Sequence, residues 1–81
     1  MKNLSITSVK EIKNHDCDHD SIRVKFNFEG TDYIHHIAKS RKTNKAIYGR
    51  ISLDALYQET VRGLEHIEKY IKQQYNAGLL N

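Results

Sequence analysis

The sequence predicts an α+β fold in which a three- to four-stranded antiparallel sheet packs on one long C-terminal amphipathic helix, in the order β-β-β-(β)-α. Apolar and polar residues alternate over 21–28, which is typical of a half-buried strand. The dipeptide of Glu29 and Gly30 separates this segment from a second apolar segment at 31–39, as in a tight hairpin. Apolar residues then recur at helical spacing over 52–75, which indicates a helix that covers one face of the sheet.

Length and composition are those of one small domain, which we assign to residues 1–81. Of the 81 residues, 38% are hydrophobic and 28% are charged, which is enough apolar material for a single core. No apolar run approaches the roughly 20 residues of a membrane helix. One cysteine cannot form an internal disulfide and the first residues lack an apolar signal segment, so we expect a cytoplasmic protein. The expected elements are the sheet over 3–51, the helix over 52–76 and a short tail over 77–81.

The first strand is expected over residues 3–13. Apolar side chains alternate as far as Ile6, and Val9 resumes the pattern out of phase. A β-bulge at Thr7 or Ser8 would return both segments to the same face of the sheet.

The central hairpin and a further short strand follow. Glycine supplies the positive φ that a two-residue hairpin turn needs, so Gly30 marks the turn between the second and third strands. The polar residues 40–45 indicate another turn. Residues 46–51 would then add a short fourth strand to the sheet.

The helix is expected to begin at Ser52 as N-cap, with Asp54 in the first turn, where the helix dipole favours a carboxylate. Gly78 would end the helix in the left-handed conformation, and Leu79 would make the apolar contact that usually follows. The residues predicted to face the sheet are Leu53, Leu56, Tyr57, Thr60, Val61, Leu64, Ile67, Ile71 and Tyr75.

Two adjacent histidines, His35 and His36, lie in the third strand. Because neighbouring strand residues point to opposite faces, one faces the helix and the other faces the open side of the sheet. A two-residue turn pairs Val24 with His35 and buries His35, whereas one extra turn residue would bury His36 instead. We expect the inward histidine to be hydrogen-bonded at the edge of the core, and the outward one to help contact phosphate beside Arg23 and Lys25.

Positive charge is concentrated on the basic turn, residues 39–45. Thirteen Lys and Arg against ten Asp and Glu give a formal net charge of +3, and no acidic residue occurs between Tyr33 and Leu53. Clustered cations bind phosphate backbones by releasing condensed counterions, and Tyr33 and Tyr48 would stack on bases if exposed. The candidate nucleic-acid or anion-binding residues are Lys39, Arg41, Lys42, Asn44, Lys45, Arg50, Arg23 and Lys25.

Two functions fit this pattern, and a solvated turn that keeps the sheet edge from aggregating fits the same charges. The first is a non-enzymatic module that contacts nucleic acid or another polyanion. The predicted plan is similar in architecture to small sheet-reading DNA-binding domains, such as the arm-type domains of phage integrases, without a diagnostic motif of that family. The second is a protein-interaction module, for example a small phage- or prophage-type inhibitor or adaptor acting on a nucleic-acid-handling protein. Both depend on the basic turn staying clear of the acidic segment 15–20.

The loop before the second strand contains metal-ligating residue types but no metal-site signature. These residues are His15, Asp16, Cys17, Asp18, His19 and Asp20. The glycine and the closing glutamate of a calcium loop are replaced by Ser21 and Asn27, and the paired cysteines of a zinc site are absent. We therefore expect an Asx-rich turn and no cofactor. With no paired carboxylates on one element, glycine-rich phosphate loop or nucleophile–base pair, we expect a protein that is not an enzyme.

A glycine within the predicted helix raises the question of a second subunit. Gly63 would cost the helix about 1 kcal/mol relative to alanine. Close approach of a strand or of another protomer would offset this cost. Tyr70, Leu79 and Leu80 then form a candidate self-association surface, so a homodimer joins nucleic acid and an acidic protein surface among the expected partners, and a membrane does not.

Overall fold

The computed structural model describes residues 3–14, 18–53 and 60–80 as one antiparallel sheet followed by one helix, so the fold is α+β. The elements are β1 (Leu4–Ile12), β2 (His19–Phe28), β3 (Thr31–Ser40), β4 (Ala46–Ser52), β5 (Thr60–Val61) and α1 (Glu65–Asn76). The spatial order of the strands is β1-β2-β3-β4-β5, so consecutive strands are neighbours. In these ranges no helix has the length and apolar character needed to cross a bilayer.

The first strand contains the predicted bulge. The register of β1 against β2 shifts between Ile6 and Ser8, which makes Thr7 the extra residue. Thr7 Oγ1 donates a hydrogen bond of 3.1 Å to the backbone oxygen of Lys25 across the strands. Beyond the bulge, Val9 packs against the core on the same face as Ile6.

The hairpin between β2 and β3 has the two-residue turn that the sequence predicts. Glu29 (φ 52°) and Gly30 (φ 85°) both adopt the left-handed conformation, as a type I′ turn requires. The amide N–H of Gly30 donates to Oδ1 of Asn27 at 3.2 Å. With this turn length Val24 pairs with His35, and His35 is the buried histidine.

The core lies between one face of the sheet and α1. It includes β4, so the predicted short strand at 46–51 is present, and β5 makes the sheet five-stranded instead of three- to four-stranded. The buried apolar residues are Ile22, Val24, Phe26, Ile37, Ala46, Ile51, Ile67 and Ile71.

The prediction of a helix is wrong for the described residues before Glu65. Ser52, the expected N-cap, is the last residue of β4 and is fully buried. Thr60 pairs with it and forms β5 together with Val61, because pairing with β4 satisfies their backbone groups and partly buries Val61. Asp54, Leu56 and Tyr57, which were also assigned to the helix, lie outside the described residues.

The helix begins at Glu65, thirteen residues after its predicted start at Ser52. Gly63 precedes it with a φ of 87°, so this glycine supplies a left-handed residue between β5 and α1. Its presence therefore has a local conformational reason and does not require a second subunit.

The end of the helix is anchored to the sheet. The Asn76 side chain accepts a 2.8 Å hydrogen bond from the Ala46 N–H, and its amide nitrogen lies 3.4 Å from the Ala46 carbonyl oxygen. Gly78 is left-handed (φ 76°), as expected. Leu79 is 67% exposed, so the predicted apolar contact is not formed by it, and Leu80 packs against the core instead.

Candidate nucleic-acid interface

The sheet has two faces of different character. Because directly paired residues on neighbouring strands share a face, the register assigns each side chain to one of them. One face carries the apolar core and packs on α1. We call the opposite face of β1–β4 the open face.

A row of four basic residues crosses the open face. Lys10 on β1 pairs with Arg23 on β2, and Arg23 pairs with His36 on β3. His36 in turn pairs with Arg50 on β4. Neighbouring strands lie about 4.8 Å apart, so this cationic row spans roughly 14 Å.

Charge accumulates along this row. Lys10 and Arg50 are exposed, whereas Arg23 and His36 are half-buried. The pKa of His36 is lowered, first by burial and then by the positive charges of Arg23 and Arg50. His36 is therefore mostly neutral at pH 7, and the two arginines and Lys10 supply the charge of the row.

The neighbouring positions add one cation and one carboxylate. Lys25, two residues after Arg23 on β2, is exposed on the same face. Among the described strand residues, the single carboxylate on the open face is that of Asp32, near the hairpin turn. Asn27 donates to Asp32 Oδ1 at 2.9 Å. Since Asp32 is four residues from His36, roughly 13 Å along β3, it does not neutralise the row.

Lys39 was predicted to be a free cation of the basic turn, but its side chain is largely buried and paired with a carboxylate. Its Nζ lies 2.7 Å from Glu11 Oε1 and 5.7 Å from the centre of the Tyr75 ring, on the helix side of the sheet. The hydrogen bond to Glu11 is the main cause that raises the pKa of Lys39, followed by the one to Tyr75. This lysine holds β1, β3 and the end of α1 together.

Arg41 is folded back onto the acidic segment. Its Nε and Nη2 donate to Oδ1 of Asp20 at 3.0 and 2.8 Å, and Nη2 also donates to the backbone oxygen of Asn14. The Arg41 backbone N–H donates to the Asp18 oxygen at 3.2 Å. The expectation that the basic turn stays clear of the acidic segment is therefore wrong for Arg41, because Asp20 pairs with Lys39 in the β2–β3 ladder and lies beside the turn.

The remaining residues of the basic turn are exposed. Asn44 has a positive φ of 59°, and its N–H donates to Ser40 O at 2.8 Å, so it shapes the turn. Lys42 and Lys45 are solvent-exposed cations in the same turn. The structure thus divides the predicted site residues between the open face, which brings together Arg23, Lys25 and Arg50, and a turn that leads away from the cationic row.

The two tyrosines proposed to stack on bases are on opposite faces. The Tyr33 ring stacks on Phe26 within the helix side of the sheet, with ring centroids 5.4 Å apart and an interplanar angle of 26°. Tyr48 pairs with Ala38 on the open face and is 64% exposed. Tyr48 is therefore the more exposed of the two rings, since Tyr33 is half-buried.

His35, unlike the exposed Tyr48, is buried on the helix side of the sheet. It is 1% exposed, and burial is the main cause that lowers its pKa to about 4, followed by the charges of His36 and Lys72. Neither ring nitrogen has a hydrogen-bond partner among the described residues, so the expected hydrogen bond is not formed there. A Cβ on Gly49 would lie 2.8 Å from His35 Nε2, which explains the glycine at this position.

A groove of about 480 Å³ runs between β4 and α1 above His35. The residues around it include Gly49, Glu65, Glu68, Lys69 and Lys72. Burial and the neighbouring Glu65 raise the pKa of the Glu68 carboxyl. The groove mixes carboxylates with lysines, so unlike the cationic row it does not carry charge of one sign.

The acidic loop yields no metal centre in the part of the chain that the structure describes. There, no three His, Cys, Asp or Glu side chains are grouped closely enough to hold a metal ion. His15, Asp16 and Cys17 lie outside the described residues. Asp20 is engaged by Arg41, and His19 begins β2 as a half-buried residue.

Sequence reasoning missed Lys10 as a member of the site. The signal for it was present, because a bulge at Thr7 that turns Val9 inward necessarily turns Lys10 toward the open face. Comparison with protein-family models, with curated proteins and with solved structures finds no match to this chain. A function for this chain is therefore inferred from the geometry of its described residues.

Proposed function

We propose that this protein is a small non-enzymatic module that binds nucleic acid through the open face of its sheet. The observation that supports this most is the cationic row, which gathers basic residues from four strands into one line. Lys10, Arg23, Lys25 and Arg50 stand against one carboxylate, Asp32, among the described residues of this face. A phosphate backbone has the complementary charge and the linear form.

The chemistry of the row suits phosphate. Arg23 and Arg50 flank His36, and a guanidinium presents a planar fork of donors that binds phosphate oxygens in a bidentate manner. Lys10 and Lys25 act as point charges at its margin. All five residues belong to hydrogen-bonded strands, so their backbones are already ordered and binding carries a smaller entropic cost.

The basic turn has a secondary role in this proposal. Lys39 and Arg41 contact Glu11 and Asp20, so their charges are partly neutralised before a ligand arrives. Lys42 and Lys45 are exposed but lie beyond the row. We therefore expect the double variant Lys42→Glu, Lys45→Glu to weaken binding less than the single variant Arg50→Glu.

The proposal is tested by fluorescence anisotropy with labelled oligonucleotides at fixed ionic strength. Arg50→Glu and Lys25→Glu are expected to lower the affinity by about tenfold or more, since each reverses a phosphate contact. Lys69→Glu is the matched control, because it makes the same charge change on an exposed helix residue across the sheet. We expect less than about a twofold effect from it.

Two results would overturn the proposal. Equal losses in Arg50→Glu, Lys25→Glu and Lys69→Glu would show that only net charge matters and that the open face is not the contact surface. A wild-type protein that does not bind oligonucleotides, but copurifies stoichiometrically with an acidic protein after nuclease treatment, would be a protein-interaction module instead.

A further inference from the structure

We infer that the nucleic acid bound on the open face is single-stranded and that one of its bases stacks on the ring of Tyr48. This inference rests on the proposed function and names the class of its ligand. Its basis is the placement of one exposed aromatic ring beside the cationic row.

Tyr48 lies next to Arg50, which forms the β4 end of the cationic row. It is two residues before Arg50 on β4 and points to the same face, so the two side chains are about 6.6 Å apart along the strand. A nucleotide whose phosphate contacts Arg50 therefore has its base near the Tyr48 ring. The exposed fraction of the tyrosine, 64%, leaves a ring face accessible.

The surroundings of the ring leave space for a base. Tyr48 pairs with Ala38, which pairs with Ser21 on β2. Both neighbours are small, and neither carries a charge. The two paired positions across from Tyr48 therefore leave room for a base, and the cationic row beside them would hold the sugar–phosphate chain.

This arrangement favours single strands over a duplex. In a duplex the base faces are covered by their stacked neighbours, whereas an unpaired base can offer its face to an aromatic ring. Among the exposed large hydrophobic residues in the described ranges, Tyr48 is the only aromatic one. Stacking on a single aromatic ring predicts binding that tolerates many sequences, because every base has a face that can stack.

The experiment compares four ligands of equal length: a single-stranded oligonucleotide, its duplex, an abasic single strand and heparin. Tyr48→Ala is expected to lower the affinity for the single-stranded oligonucleotide by about 5- to 100-fold, as base–aromatic stacking does elsewhere. Its affinity for heparin and for the abasic strand should stay within about twofold of wild type. Tyr48→Phe keeps the ring and should bind like wild type, and Ile47→Ala removes a neighbouring, 40% exposed apolar side chain as the control.

The outcomes separate this inference from the proposed function. Wild-type binding to heparin and the abasic strand, with no preference for the base-containing strand or with preference for the duplex, would overturn the stacking inference and leave the cationic interface standing. An equal loss of affinity of Tyr48→Ala for all four ligands would show that Tyr48 has a structural role. This result would also overturn the stacking inference. Absence of wild-type binding to every one of the four would overturn the proposed function and this inference together.

Discussion

Arg41 donates from Nε and Nη2 to a single carboxylate oxygen of Asp20, at N···O distances of 3.0 and 2.8 Å. The contact ties the residue that follows β3 to the start of β2, and Arg41 also donates to the backbone oxygen of Asn14 near the end of β1. One side chain therefore joins three consecutive segments at one end of the sheet. This is a structural role, and it removes Arg41 from the set of cations offered to a ligand.

The Arg41→Gln variant tests this role through the pH dependence of stability. The hydrogen bond from Arg41 is the main cause that lowers the pKa of Asp20 below its ordinary value of 3.8. A carboxyl with a lowered pKa stabilises the fold above its unfolded pKa, and the stabilisation is lost as the pH falls through the folded pKa. We expect Arg41→Gln to lower the urea midpoint at pH 6 and to reduce the loss of stability below pH 4. A wild-type profile for this variant would contradict the structural role.

Gly49 is predicted to be intolerant of a side chain. A Cβ there would lie 2.5 Å from the His36 backbone oxygen and 2.8 Å from His35 Nε2, closer than atoms can approach. Since the first neighbour is backbone, β3 and β4 would have to separate. We expect Gly49→Ala to lower the free energy of unfolding by about 1–3 kcal/mol, measured by urea denaturation. A variant as stable as wild type would show that the two strands are not this close.

The central hairpin could be predicted from the sequence because its signals are local. Alternation along β2 and the turn at Gly30 settle the register, and the register alone decides that His35 is buried. The start of the helix could not be predicted in the same way. Apolar residues continue at helical spacing through Val61, so the local pattern indicates a helix there. Val61 instead pairs with Ile51 of β4, and this contact between two strands leaves no signal in the spacing of apolar residues.

The candidate site shows the same division between local and non-local information. Lys39 and Arg41 are close in sequence to other cations, yet carboxylates 28 and 21 residues away contact them. Lys10, Arg23 and Arg50 are far apart in sequence, yet strand pairing places them in one row. Clustering along the chain was thus a poor guide to clustering on the surface.

The salt dependence of nucleic-acid binding should report the number of cations in the contact. For single strands, the logarithm of the affinity falls with the logarithm of the salt concentration with a slope of about −0.7 per phosphate contact, so four cations predict a slope near −3. Lys10→Gln and Lys25→Gln should each reduce the slope by about 0.7. Lys69→Gln is the control and should leave it unchanged. Identical slopes for all three variants would place the contact elsewhere.

Burial of His35 predicts a loss of stability in mild acid. Its pKa is about 4 in the folded protein, against an ordinary 6.5, so the unfolded chain binds more protons between these values. The contribution of neutral His35 to the free energy of unfolding is therefore complete above pH 6.5. It is lost as the pH drops toward 4, by an amount approaching about 3 kcal/mol. Glu68 acts in the opposite sense, because its pKa is raised by burial and by Glu65.

The variant His35→Leu isolates this contribution. Its urea-derived free energy of unfolding should vary less than that of wild type between pH 6.5 and 4, and the two profiles should converge or cross as the pH falls. Parallel profiles would show that His35 does not titrate with a lowered pKa. Lys72, which also lowers the pKa of His35, is retained in both proteins, so its charge does not account for a difference.

Proton uptake by His36 should accompany nucleic-acid binding. In the free protein, burial and the charges of Arg23 and Arg50 lower its pKa. A phosphate held between these arginines offsets their repulsion of the imidazolium and raises the pKa of His36 in the complex. Since the complex then binds more protons than the free protein, affinity should rise as the pH falls below the pKa of the complex and level off below that of the free protein. Binding measured from pH 5 to 8 at constant ionic strength should show this rise in wild type and in the exposed-helix control His66→Gln, and His36→Gln should lose it. The same pH dependence in all three proteins would mean that no phosphate sits beside His36.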